Sequence, residues 1–98
     1  MTAMNIVRMK VKAGQEDAFL AAHEARRRDD FEGMKSFRIV KTGDRDYLVV
    51  GEWESMDALS VARPKMIATL DSFRETLEDL GGDLGVTEPR SGEVVFSI

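Results

Sequence analysis

Polar and apolar residues alternate from residue 4 to residue 12, with Val7, Met9 and Val11 on one side and Arg8, Lys10 and Lys12 on the other. A period of two predicts a strand. Ala13-Gly14 ends it, and residues 15–28 are good helix formers carrying Phe19, Ala22, His23 and Arg26 along one face. Acidic Glu16 and Asp17 at the start of this helix and Arg26, Arg27 and Arg28 at its end suit the helix dipole. A polar link leads to a second strand at 34–41, built on Phe37, Ile39 and Val40. The turn 42–46 contains Gly43, and the run 47–54 that follows predicts an antiparallel hairpin. Ser55 supplies a helix N-cap. Pro64 has no N–H to donate, so the helix opening at Met56 is expected to pause near Arg63 and a new one to start. From there Met66, Leu70, Phe73, Leu77 and Leu80 recur at steps of four and three, one stripe of a main core helix ending at Gly81-Gly82. Residues 81–92, with four glycines and one proline, form a long loop, and 93–98 close the chain as a fourth strand. The order is βαββααβ, an α+β antiparallel sheet with its helices on one face.

That sheet has no polar side. Strand 3 carries Tyr47, Val49 and Trp53 on one face but Leu48 and Val50 on the other, and the last run opposes Val94, Phe96 and Ile98 with Val95. Water normally covers the helix-free face of an antiparallel sheet, and that face is then polar. Two helical segments cover only one side, so a second copy of the chain is the simplest cover for the other: a homodimer with sheets face to face is predicted.

Size and charge narrow the classes. With 98 residues the chain is expected to form one domain, 1–98, and its 43% hydrophobic and 33% charged residues suit a folded soluble protein. A net charge of −4, from 14 basic and 18 acidic residues, offers nucleic acid and anionic lipid no overall attraction. No cysteine is present, which removes disulfides, thiolate metal sites and a cysteine nucleophile. The opening Met1-Thr2-Ala3-Met4 lacks a basic stretch followed by an apolar one, and no run approaches a membrane span, so the cytoplasm is the expected location.

Three segments, Val7-Arg8-Met9-Lys10-Val11-Lys12-Ala13-Gly14, Tyr47-Leu48-Val49-Val50-Gly51-Glu52-Trp53-Glu54-Ser55 and then Ala58, resemble the signature of the antibiotic biosynthesis monooxygenase family over residues 4–80. The resemblance implies a ferredoxin-like unit that pairs into a dimeric α+β barrel. It also implies several functions: cofactor-free oxygenation of aromatic quinols, haem degradation, action on small signalling molecules, or none assigned. Where the haem-degrading branch carries a strand asparagine and a helix tryptophan this chain has Val7 and Ala62, and the branch's iron-ligating histidine falls near Ser72 on an ungapped match, where no histidine stands. Asn5 lies two residues from the first, on the same side of the strand. Trp53 matches the family's strand tryptophan, whereas the asparagine and tyrosine that assist in quinol monooxygenases are replaced by Val49 and Leu59.

Four residues carry the candidate chemistry. Trp53 is either a pocket wall for a small aromatic molecule or a core residue. His23, the one histidine, turns toward the sheet and is the candidate proton acceptor; its alternative is a half-buried ring held by one hydrogen bond. Arg38 is a candidate anchor for a substrate anion, with an ion pair to Glu52 across the hairpin as the alternative. Asn5 is a further candidate contact. Arg26 to Arg28 beside Asp29 and Asp30 read as a solvated helix end. One histidine without carboxylates at ligand spacing makes no metal site. The leading expectation is a cofactor-independent monooxygenase acting on a phenolic or quinol substrate; the competing one is a non-catalytic dimeric ligand-binding or stress-associated module whose cavity is filled by Met and Phe side chains.

Overall fold

The computed structural model describes residues 1–24, 26, 27 and 30–98. Four strands, β1 (Ala3–Lys10), β2 (Met34–Gly43), β3 (Asp46–Trp53) and β4 (Glu88–Glu93), form one antiparallel sheet in the order β2-β3-β1-β4. Two helices, α1 (Glu16–Glu24) and α2 (Met56–Asp71), pack on one face. This is the ferredoxin-like α+β fold. Along β3 buried and half-buried residues alternate, with Tyr47, Val49, Gly51 and Trp53 under the helices. Two apolar clusters result. Met9, Val11, Phe19, Tyr47, Val49, Phe73 and Leu77 form one, and Ala3, Phe31, Trp53, Leu59 and Ala62 the other.

The predicted elements differ from the observed ones in three places. First, α2 runs through Pro64 without a pause. The missing N–H removes the helical partner of the Ser60 carbonyl, but Ser60 and Pro64 both lie on the exposed face, open to solvent. The helix ends instead at Asp71, with Ser72 as its C-cap, and a 3₁₀ turn (Arg74–Thr76) follows. Phe73 and Leu77 are buried as the stripe requires, yet Leu77 bridges Val11 in a strand-like pairing.

Second, α1 stops at Glu24, and Arg26 and Arg27 lie outside the helix; the predicted end at Arg28 and the neighbouring Asp29 lie outside the described residues. Third, β4 occupies Glu88–Glu93, upstream of the predicted 93–98. Its register against β1 runs from Arg8↔Glu88 to Ala3↔Glu93, so β1 has no residue left to pair with the apolar stretch beyond the bond from the Val94 N–H to the Thr2 carbonyl. An edge strand tolerates Pro89, which is why a polar, proline-containing segment serves there. Val95 and Phe96 remain 89% and 77% exposed.

The helix-free face is half-open and apolar at its centre. Ile6 and Val40 are 41% and 44% exposed and border the half-buried Leu48 and Val50. Arg8 crosses this face to reach Asp46 on β3 at 3.3 Å and Glu88 on β4 at 3.6 Å.

Candidate functional site

Between the sheet and α2 lies a cavity of about 1240 Å³. Asn5, Val7 and Met9 of β1 and Val49 of β3 form its floor, and Leu59, Met66 and Leu70 of α2 a wall. Alternation along β1 delivers the floor residues to one side, and helical spacing along α2 delivers the wall. His23 and Phe73 close one end.

His23 is buried and packed by aromatic rings: Phe73 at 4.4 Å, Phe19 edge-on at 4.8 Å and Phe37 stacked at 5.8 Å between centroids. Its Nδ1–H donates to the Phe19 carbonyl at 2.8 Å. A carbonyl only accepts, so this bond fixes the tautomer and leaves Nε2 with its lone pair on the far side of the ring. Burial holds the imidazole below its usual pKa; the bond to Phe19 opposes that shift, and the Arg26 charge adds to it. The ring is therefore neutral at pH 7.

Asn5 and Trp53 act as a pair. The indole is fully buried, edge-on to Phe31, and its Nε1–H donates to Asn5 Oδ1 at 2.7 Å. Trp53 therefore sits behind the cavity floor, and Asn5 is the member of the pair that faces the cavity. Because Oδ1 accepts from the indole, the orientation of the amide is set and its N–H groups are the polar surface left over. Gly51, opposite Asn5 in the register, makes room for the bond: a Cβ there would stand 2.4 Å from Asn5 Oδ1 and 2.9 Å from Trp53 Nε1.

The sheet divides the other candidates. Arg38 pairs with Val50, on the face away from Asn5 and His23, yet is among the residues that line the cavity. Nor does it pair directly with Glu52 among the described residues: its Nη1–H donates to Ser36 Oγ at 3.1 Å, and Ser36 donates to Glu52 at 3.1 Å. Sequence reasoning missed Arg26. Far from being a solvated helix end, its guanidinium lies 5.5 Å from the Phe73 ring centre, donates to the Ala22 and Thr69 carbonyls at 3.4 Å each, and lines the cavity. Burial lowers its pKa, and Asp30 opposes the shift. The signal was present: Arg26 stands on the same helical stripe as Phe19 and His23.

At the opposite end of α1, Tyr47 and Lys41 both donate to Glu16, tying the helix to β2 and β3. No cluster of three or more His, Asp or Glu side chains able to hold a metal occurs among the described residues, and no helix there is long and apolar enough to cross a membrane.

Residues 2–63 match the family model described as antibiotic biosynthesis monooxygenase. No curated protein matches the chain significantly. Solved structures do. A protein of unknown function from Nitrosomonas europaea is 17% identical and superimposes with a TM-score of 0.76, covering 99% of this chain and 92% of its own. A candidate antibiotic biosynthesis monooxygenase from Bordetella bronchiseptica is 16% identical, with a TM-score of 0.76 and coverage of 97% and 98%. The heme-degrader MhuD from Mycobacterium tuberculosis, solved with two hemes bound in its active site, is 21% identical, with a TM-score of 0.65 and coverage of 98% of both chains. At such identities the likeness is one of fold.

Proposed function

The chain belongs to the antibiotic biosynthesis monooxygenase family, and from that premise we propose that its cavity binds a small aromatic molecule and oxygenates a phenolic or quinol substrate without a cofactor. The neutral, tautomer-fixed His23 at the cavity end carries this reading. An electron-rich phenolate can itself pass an electron to molecular oxygen, so the protein's tasks are to bind the ring, take its proton and exclude water. His23 Nε2 accepts the phenolic proton. Asn5, its carbonyl occupied by Trp53, offers N–H donors to the oxygen that becomes negative. Trp53 itself acts only through Asn5. An open interior also favours this reading over a non-catalytic module with a filled one.

A haem-based chemistry fits the residues poorly. No histidine stands near Ser72, where the iron ligand of the haem-degrading branch falls on an ungapped match, and the Ser72 hydroxyl donates to the Thr69 carbonyl at 2.6 Å as the helix closes.

The test is oxygen uptake with a panel of quinols, comparing wild type with His23→Phe, which keeps an aromatic ring in the cluster but removes the base. A general base contributes roughly 10²–10⁴-fold, so a loss of at least about a hundredfold is expected. Uptake unchanged by the substitution removes His23 from the mechanism; no uptake with any quinol counts against the monooxygenase assignment.

A further inference from the structure

Charge is partitioned unevenly between this cavity and the rest of the molecule. The chain as a whole is acidic, with 18 Asp and Glu against 14 Lys and Arg. Yet among the described residues lining the cavity, Arg26, Arg27, Lys35, Arg38, Arg63 and Arg90 face a single carboxylate, Glu24. A cavity that gathers cations inside an anionic protein concentrates a potential of the opposite sign to the surface around it.

Three of these cations already have local acceptors: Lys35 donates to Thr2, Arg38 to Ser36 and Arg90 to Pro89. Arg26 differs. It is half-buried where the other five are exposed, and its two bonds run at 3.4 Å to neutral carbonyls, with no carboxylate in salt-bridge range among the described residues. Its remaining support is the face of Phe73 and the charge of Asp30. A partly desolvated guanidinium held by weak neutral acceptors at the cavity wall gains most from an incoming anion, through a charge-assisted, bidentate hydrogen bond.

We propose that the ligand of this cavity is an aromatic carboxylate, its ring against the apolar floor and its acid group on the guanidinium of Arg26. The proposal rests on the cavity being the small-molecule site, and it adds the ligand's charge and the residue that selects it. The planar guanidinium matches the two-oxygen fork of a carboxylate, and the apolar floor residues Val7, Met9 and Val49 suit the ring that carries it.

Calorimetric titration of the full chain with 6-hydroxy-2-naphthoate and with its methyl ester isolates the charge, because the two probes share ring and phenol. The acid is expected to bind at least about tenfold more tightly than the ester, the scale of one charge-assisted bond. Arg26→Gln is expected to abolish that advantage while leaving the ester within about twofold. A readout needing no variant is salt: rising sodium chloride should weaken the acid and not the ester. Equal affinity of acid and ester, or an advantage that Arg26→Gln and salt leave intact, overturns the assignment of Arg26 while the cavity stands as a binding site. Binding of neither probe overturns the assignment together with the reading beneath it.

Discussion

Single side chains here owe their roles to what their second polar atom is doing. Asn5 is oriented by Trp53, and the bond between them exists only because the cross-strand neighbour has no side chain. Gly51→Ala tests that dependence. A methyl group at 2.4 Å from the amide oxygen forces Asn5 away and strands a buried indole N–H, at a cost of about 1–3 kcal/mol. The expected result is a lower urea midpoint with an unchanged slope; a variant as stable as wild type shows that the bond is dispensable. At this scale the sequence was informative in proportion to periodicity. The helical stripe pointed His23 at the sheet, where it lies. It pointed Arg26 there too, but a run of three arginines beside two aspartates resembles a solvated surface, and only packing against Phe73 distinguishes them. Arg38 stands on the opposite face from His23, which the sequence could not tell: strand parity fixes which residues share a face, but not which face the helices cover.

Elements were legible where the pattern and the backbone agree. Ser55 caps α2 as expected, its hydroxyl accepting from the Ala58 N–H at 3.1 Å. The hairpin β2–β3 also forms, although Arg45 rather than Gly43 takes the positive φ, at 58°, with its guanidinium donating to the Val11 carbonyl and to Glu78. Pro64 shows a local rule overridden: a proline at an exposed helix position weakens the helix without breaking it when the turns before it are pinned by the buried Leu59 and Ala62 and by the Ser55 cap. Pro64→Ala should therefore raise stability by about 2 kcal/mol, the helix-interior penalty less the entropy that proline removes from the unfolded chain. A lower denaturation midpoint would mean that the proline shapes the path of α2. The fourth strand was misplaced because hydrophobicity marks what needs cover, whereas edge pairing is decided by backbone register, which a sequence pattern does not contain.

For the whole molecule, the sheet greasy on both sides was visible in the alternation of β3, and the fold leaves Ile6, Val40, Leu48 and Val50 without helices above them. Pairing of two chains through this face is expected: sedimentation at micromolar concentration should give a species of twice the 11.0 kDa chain mass, and Val50→Glu, at the centre of the face, should shift it toward the single chain without loss of helical signal. A wild-type species of 11.0 kDa would mean that the apolar face has another use.

The sole tryptophan of this protein is sealed from water and joined by one hydrogen bond to an amide on the cavity floor. Nature has thus wired a fluorophore to the chamber. Any occupant that tugs on Asn5 perturbs the indole's excited-state surroundings without touching it, giving the chain an intrinsic optical gauge of what lies within.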